Sequence, residues 1–432
     1  MFTEVFLSLG YISVCLWLIS RLQIFKHDSV SPKTFQAIFI LKLLAGFALF
    51  IIYTRFYPDR KFADIFRYYD DSKIMFDAWG DRPYDFFRMI TGYHTADSDL
   101  KPYYDTMLNW YNSEMIFNDS RTMIRLNTLM RFVSLNTYYP HAVFMCFLSF
   151  IGLTGLFKVF ASEIKNKTRE LIFGVYLLPS VLLWSSGVIK EAFLLFSIGM
   201  LLYYLKKITA KNGINLRNSF AVLFFVFCVL NIKSYILFAM LPGIIAYIWT
   251  QRSTALPFLK FTIVHICYLL ALFNLSYLFT KHPVPELLSN KQQEFYFVAH
   301  RENAQTIIEL PDLKSGWKSL ITALPESFAT TFIRPHIFEA TNLMILFAAI
   351  ENTLFIFLLL ITIIGFSKNQ LINAPPVFFL ALFFTVSVFC LVGLVTPILG
   401  AIVRYKVPAL PFLMVLMITV FNADLFKQRI KR

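Results

Sequence analysis

Trp184-Ser185-Ser186-Gly187-Val188-Ile189-Lys190-Glu191 interrupts a stretch from Leu171 to Leu205 that is otherwise apolar almost without a break. A lysine and a glutamate each cost several kcal/mol in hydrocarbon, so this pair belongs at a membrane face or in a wet cavity, and ionisable groups in such segments are functional candidates by default. The flanking apolar runs are long enough to span a bilayer, which sets the class of the whole chain: an all-α, polytopic helical membrane protein with something polar to hold.

Outward from that stretch the pattern repeats. The 432 residues are 57% hydrophobic and 15% charged, with 49 Phe and a mean hydropathy of +0.62, a composition foreign to soluble domains. Apolar runs of roughly 17 to 25 residues predict about eleven transmembrane helices. They lie near Phe6–Ser20, Gln36–Thr54, Pro140–Phe160, Glu170–Ser186, Val188–Leu205, Ser219–Asn231, Tyr235–Thr250, Pro257–Phe279, Leu343–Gly365, Ala374–Val395 and Val407–Asn422. Asn231-Ile232-Lys233-Ser234 divides the run Ser219–Thr250, which reads either as two tilted spans meeting at one face or as one broken helix.

Basic residues orient these spans. Arg21, Lys26 and Lys33; Lys165, Lys167 and Arg169; Lys206, Lys207, Lys211 and Arg217; and Lys427, Arg429, Lys431 and Arg432 all fall on one side of the eleven-span arrangement. That side, with the C-terminus, is predicted to be cytoplasmic. The start Met1-Phe2-Thr3-Glu4 lacks the basic residues and cleavage site of a secretory signal, so the first span reads as a retained anchor. The net charge of +14 is then a signal of topology and lipid headgroups, with no need of nucleic acid as a partner. Cys15, Cys146, Cys228, Cys267 and Cys390 sit in apolar runs without paired spacing, which suggests neither disulfides nor a zinc site.

The opposite, extracytoplasmic face carries two long loops, about 55–139 and 280–342, too long for idle linkers. Phe62 to Phe76 alternates aromatic and charged groups at near-helical spacing and is expected to lie flat in the interface. A second interfacial helix is expected at Ser120–Ser134, with Met123, Leu126, Leu129, Met130 and Val133 as its apolar stripe and Arg121, Arg125 and Arg131 around it. No internal repeat and no separate soluble domain is apparent, so 1–432 reads as a single integral membrane domain.

Asp70-Asp71 lies in the first outer loop. Adjacent carboxylates can serve as a general base for a hydroxyl nucleophile, or hold a divalent cation (Mg or Mn) against a phosphate; solvated acids paired with Arg67 and Lys73 are the alternative. Asp64, two helical turns from Asp71, would share its face. Lys190, Lys233, Arg334 and Arg404 arrive on the outer side against the positive-inside bias, and such a set suits a phosphate or diphosphate headgroup. Snorkelling to lipid phosphates is the competing explanation. For Lys190 and Glu191 the plain alternative is an ion pair marking the end of one span and the start of the next, with Gly187 as the turn. Glu351 reads as a proton-coupling carboxylate or as a structural bond to another span, through Lys42 or His265. Trp184, Trp110 and Trp317 fit an aromatic belt and have the faces to stack on sugars.

The acidic pair, the amphipathic helix around it and the polar outer roof resemble the GT-C superfamily of membrane glycosyltransferases. Pro179-Ser180, Trp184-Ser185-Ser186-Gly187, Lys190-Glu191, Lys233-Ser234-Tyr235, Lys291-Gln292-Gln293-Glu294-Phe295 and Arg404-Tyr405-Lys406 are similar to uncharacterised bacterial polytopic proteins of surface polysaccharide assembly. The resemblance implies a bacterial cytoplasmic (inner) membrane location, a lipid-linked sugar donor on a polyprenyl phosphate or diphosphate, a glycan or lipid acceptor, and either single-sugar transfer or repeat-unit polymerisation. It places Asp70 or Asp71 as the base and Lys190, Lys233 and Arg404 on phosphate; Arg334, which ends the second outer loop, is added to that set by its charge and position alone. Asp64, Trp184, Ser185, Ser186, Glu191, Tyr235 and Tyr405 support them. An extra span ahead of the acidic loop and the lack of a terminal soluble domain depart from the usual pattern. The rival reading is a flippase for lipid-linked glycans, whose signs would be matched halves, broken helices and midplane charges. A non-catalytic assembly scaffold is a third, for which these charges need not meet.

Overall fold

The structure is a computed structural model describing residues 2–56, 59–94, 97–110, 118–210, 213–253, 255–280, 282–313 and 316–431; Lys211 and Arg432 of the basic clusters lie outside the described residues. Among these residues every regular element is helical and no strand forms. In chain order the helices are α1 (Phe2–Arg21), α2 (Pro32–Phe56), α3 (Asp64–Asp81), α4 (Pro83–Thr91), α5 (Lys101–Thr106), α6 (Asp119–Ser134), α7 (Tyr138–Glu163), α8 (Thr168–Ile172), α9 (Pro179–Trp184) and α10 (Lys190–Thr209). They continue with α11 (Leu216–Arg252), α12 (Pro257–Thr280), α13 (Val284–Arg301), α14 (Trp317–Ile333), α15 (Leu343–Ile364), α16 (Lys368–Ile372), α17 (Pro376–Val395), α18 (Leu399–Tyr405), α19 (Leu410–Val420) and α20 (Ala423–Ile430). Among the described residues, eight segments are long and apolar enough to cross a membrane: Glu4–Arg21, Pro32–Arg55, Tyr138–Glu163, Lys190–Thr209, Leu216–Arg252, Leu343–Ile364, Pro376–Val395 and Leu399–Val420. Helices dominate for a plain reason: in hydrocarbon each backbone N–H and C=O must find its partner within the segment.

One expected span takes another form, and the divided run shows the break that its sequence suggested. Glu170–Ser186 is not one helix: α8 passes into a π-turn at Phe173–Leu177, Leu178 is extended, and α9 ends at Trp184. Pro179 explains the break, since it has no N–H to donate and disfavours helix in the residue before it. The run Ser219–Thr250 lies within the single helical segment α11, broken at Lys233, whose φ of −149° and ψ of 85° are not helical.

The chain divides into two compact units, Met1–Lys158 with Leu182–Leu237 and Val159–Val181 with Phe238–Arg432. In the first, α7 and α10 touch backbone to backbone: a Cβ on Gly199 would lie 1.8 Å from the Gly152 carbonyl oxygen. Such small-residue contacts bring membrane helices together where no hydrophobic effect can. The irregular stretch 185–189 exposes carbonyls that side chains of α2 and α7 satisfy. Ser185 O accepts from Lys42 Nζ at 2.7 Å and Ser149 Oγ at 2.6 Å, and Ser186 O accepts from Cys146 Sγ at 3.0 Å. Helix α1 buries little beyond Cys15 and Ile19 and turns Val5, Phe6, Leu9, Val14 and Trp17 outward, as a lipid-facing helix should.

Helices α3, α4 and α6 form a layer of their own in this unit. The buried face of α6 is Ser120, Met123, Ile124, Asn127, Thr128, Met130, Arg131 and Ser134, whereas Leu129, Phe132 and Val133 are exposed. The expected apolar stripe is therefore split. Arg131, 2% exposed, is buried among polar groups of α3: Nε donates to Ser72 Oγ at 2.7 Å, Nη2 to Tyr69 O, and the guanidinium sits 4.0 Å from the Tyr69 ring centroid. Five guanidinium donors turn a polar helix face into a packing face, which hydrophobicity alone cannot reveal.

In the second unit α14 packs along α17, where a Cβ on Gly393 would meet Ser327 O at 2.0 Å. Beyond its end, Lys406 Nζ donates to Thr331 O at 3.0 Å, Arg334 O at 3.3 Å and Asn352 Oδ1 at 2.8 Å, a cation on the carbonyls a helix leaves open. At the other polarity, Glu163 accepts from Val377 N at 3.0 Å in the first turn of α17 and from Tyr247 Oη at 2.5 Å.

Candidate functional site

Three carboxylates of α3 have different surroundings. Asp64 and Asp71 share a face, as a separation of seven residues dictates. Arg67 bridges from Asp64 at 3.1 Å to Asn109 Oδ1 at 2.7 Å, and Asn109 Nδ2 reaches Asp71 Oδ2 at 2.9 Å. The Asp71 carboxylate also accepts from Leu108 N at 3.0 Å and Asn109 N at 2.7 Å. It is 4% exposed. Burial pushes its proton affinity above the ordinary carboxylate range, against these three donors, with neighbouring Asp70 adding to the rise. With its lone pairs engaged, Asp71 anchors the 108–109 turn to α3.

Asp70 turns the other way. It forms a two-pronged pair with Arg60, Nε to Oδ2 at 2.7 Å and Nη2 to Oδ1 at 2.8 Å, with side chains 52% and 41% exposed for Arg60 and Asp70. The adjacent aspartates thus make no common clamp. The Arg60 guanidinium lies 3.8 Å from the Phe66 ring centroid and 6.0 Å from that of Tyr138. Tyr138, with Phe50 and Ile65, lines part of an apolar cleft of about 180 Å³, whose lining also includes Ser8 of α1, Phe47 of α2, and Tyr139, Cys146 and Gly187. Phe66 packs on Phe50 at 5.8 Å and on Tyr138 at 4.8 Å, so one aromatic ring separates the charged pair from the cleft wall. Arg60 escaped the sequence reading because it sits in the turn at 60–62, ahead of α3, and no helical spacing links it to Asp70.

Lys190 and Glu191 do not pair with each other. Successive helical residues point about 100° apart, and each finds a distant partner: Lys190 meets Asp119 at 2.6 Å and lies 5.0 Å from the Tyr68 ring, while Glu191 meets Lys233 at 2.9 Å. The second pair is buried, at 1% and 7% side-chain exposure, and sits on the non-helical residue of α11. Ser185 and Ser186 are ligands of the Lys42 ammonium, Ser186 Oγ at 3.2 Å. Trp184 is 7% exposed and offers no open face to a sugar. Trp110 is covered by the Tyr104 ring, stacked at 4.5 Å, and by Arg121 and Arg125 at 4.9 and 5.4 Å. Tyr235, just past the kink, is half-buried.

Arg334, Arg404 and Tyr405 belong to the second unit. Arg334 pairs with Glu339, Nε to Oε1 at 2.6 Å. Burial would raise Glu339, but the Arg334 bond, the His336 N–H and the Arg334 charge outweigh it and hold this carboxyl below its usual range. Arg404 is half-buried at the end of α18, and the Tyr405 ring lies 6.1 Å from Phe295. Glu351 bonds to neither Lys42 nor His265: it accepts from Ser180 N at 2.9 Å and from Ser180 Oγ. The break at Leu178 frees that N–H, and a carboxylate fills the gap.

Among the described residues no group of three or more His, Cys, Asp or Glu side chains is placed to hold a metal ion, and Asp70 and Asp71 diverge, so the residues present do not fit the divalent cation considered from sequence. No protein-family model, curated protein or solved structure matches the chain.

Proposed function

We propose that this chain is an integral membrane glycosyltransferase of surface polysaccharide assembly, taking its sugar or oligosaccharide from a polyprenyl phosphate or diphosphate carrier on the extracytoplasmic face of a bacterial inner membrane. The observation that carries this reading is the exposed Arg60–Asp70 pair beside an apolar cleft. A lipid-linked donor needs those features together: a slot for hydrocarbon, a planar cation for phosphate and a carboxylate for the acceptor hydroxyl. In the proposed step the acceptor oxygen bonds to the anomeric carbon as the carbon–oxygen bond to phosphate breaks. The electron pair leaves with the phosphate, and the acceptor proton passes to Asp70. Arg60 stabilises the charge that grows on the leaving group. Lys190, Lys233 and Arg334, each held by a carboxylate, serve this reading as structural charges.

The topology proposed with it has eleven crossings. To the eight apolar segments it adds α12 and the broken run 168–184, and it counts α11 twice. The stretches before and after Lys233 are 17 and 19 residues long, about 26 and 28 Å, close to one bilayer core. Phe225 packs on Tyr204 near one end of α10 and Lys233 on Glu191 at the other, as expected if the first half of α11 crosses beside α10. Loops 55–139 and 280–342 then face outward and the C-terminus inward.

The test is chromosomal Asp70→Asn at equal protein level. Loss of surface glycan with accumulation of its lipid-linked precursor is expected; unchanged polymer would remove the catalytic assignment. A second reading, a flippase for lipid-linked glycans, is favoured by the break ahead of α10 and the break at Lys233, joined through the buried Glu191–Lys233 pair. It predicts that precursor stays on the inner leaflet in a null strain.

A further inference from the structure

We infer that Asp70 occupies the phosphate seat of Arg60 until a single-chain lipid phosphate displaces it, so that donor binding itself releases the carboxylate. Three observations meet here. The Arg60–Asp70 contact is two-pronged, with distances of 2.7 and 2.8 Å, the fork geometry by which a guanidinium holds either a carboxylate or two phosphate oxygens. The pair is solvated on both sides, 52% and 41% exposed, and exposed pairs of this kind are weak and open to competition. A diphosphate-linked donor, or the sugar-free carrier phosphate, carries more charge than the carboxylate and wins on a planar cation that both can grip. The guanidinium also rests on Phe66, 3.8 Å from its centroid, and Phe66 packs against Phe50 and Tyr138 of the cleft wall. The seat is therefore held in place when Asp70 leaves it.

The cleft narrows the ligand class. Its volume is about 180 Å³ and its lining is nearly all apolar, comparable with the apolar cavities of about 150 Å³ that accept a benzene-sized hydrocarbon. One slot of that size admits part of one chain. Phe47 and Tyr139 at its edge are 58% and 36% exposed, which leaves a lateral way in from lipid. A polyprenyl phosphate, with one chain and a terminal phosphate, fits both halves of the site; a glycerophospholipid brings two chains. The release of Asp70 as base rests on the function proposed above, whereas the exchange on Arg60 is a binding event that needs no turnover.

The experiment is a double-mutant cycle on the full chain in phosphatidylcholine nanodiscs, titrated with a long-chain polyprenyl phosphate carrying no sugar, with thermal midpoints confirming folding. Asp70→Asn is expected to tighten binding by roughly two- to fivefold, the scale of an exposed ion pair removed as competitor. Arg60→Gln should weaken binding about tenfold or more, and Asp70→Asn should give no gain in the Arg60→Gln background. Affinity that is unchanged or lowered by Asp70→Asn overturns the exchange. So does equal tightening with and without Arg60, which would mean only that a negative charge had been removed nearby. Dioleoyl phosphatidic acid is the second probe: binding as tight, with the same dependence on both residues, overturns the single-chain assignment. Exchange observed together with glycan assembly that is indifferent to Asp70 would leave this inference standing and sink the transferase reading, so the two failures are separable.

Discussion

Single residues in this protein are best understood by which charge each one answers. Lys233 and Glu191 are buried together at 2.9 Å, and removing one partner of such a pair strands the other in a medium that cannot solvate it, at a cost of ~3–5 kcal/mol. Lys233→Met is therefore expected to lower the thermal midpoint in detergent sharply, and the double variant Glu191→Gln with Lys233→Met to recover most of the loss. If the double variant is as unstable as the single one, the pair is not what makes these positions sensitive. Lys42 follows the same logic with neutral partners, its ammonium closing carbonyl and hydroxyl oxygens of Ser185 and Ser186. The sequence pointed to Asp70, Asp71, Lys190 and Lys233 as charges worth following. It could not pair them, because Asp119, Arg60 and Asn109 reach their partners from other helices or across turns.

At the scale of elements, breaks matter more than helices. Pro179 and the residues 185–189 interrupt one apolar run, and Lys233 another; side chains from elsewhere then fill the vacated hydrogen bonds. The π-turn at Phe173–Leu177 carries no sequence signal we can name. The α7–α10 contact depends on Gly152 and Gly199, with 1.8 Å between a built Gly199 Cβ and the facing carbonyl oxygen. Gly199→Ala must push the helices apart and is expected to destabilise by roughly 1–3 kcal/mol, the usual range for overpacking. Gly10, whose added Cβ meets nothing within 4 Å, is the control, and equal effects at both positions would refute the contact's role. The α6 stripe misled because Arg131 is buried through hydrogen bonds, while Leu129 and Val133 remain outside. Hydrophobicity ranks residues by their cost in oil and is blind to a partner that cancels the cost.

For the whole molecule the expected outcome concerns sidedness. If α11 crosses twice, reporter domains fused after Arg217 and after Arg252 should both read cytoplasmic, and one inserted near Glu302 extracytoplasmic; opposite signals after Arg217 and Arg252 would reduce α11 to a single pass. Helical class and the rough position of the eight apolar segments found among the described residues were legible in the sequence alone, because suitability for lipid is a property of composition and run length, summed locally. Which runs stay continuous, which face of α6 turns inward, and which charge neutralises which were decided by tertiary structure. Those outcomes depend on distances of a few ångström between residues as far apart in the chain as Lys190 and Asp119 or Glu351 and Ser180. Coulomb and hydrogen-bond energies vary steeply over such distances, and a linear pattern of residue types does not contain them.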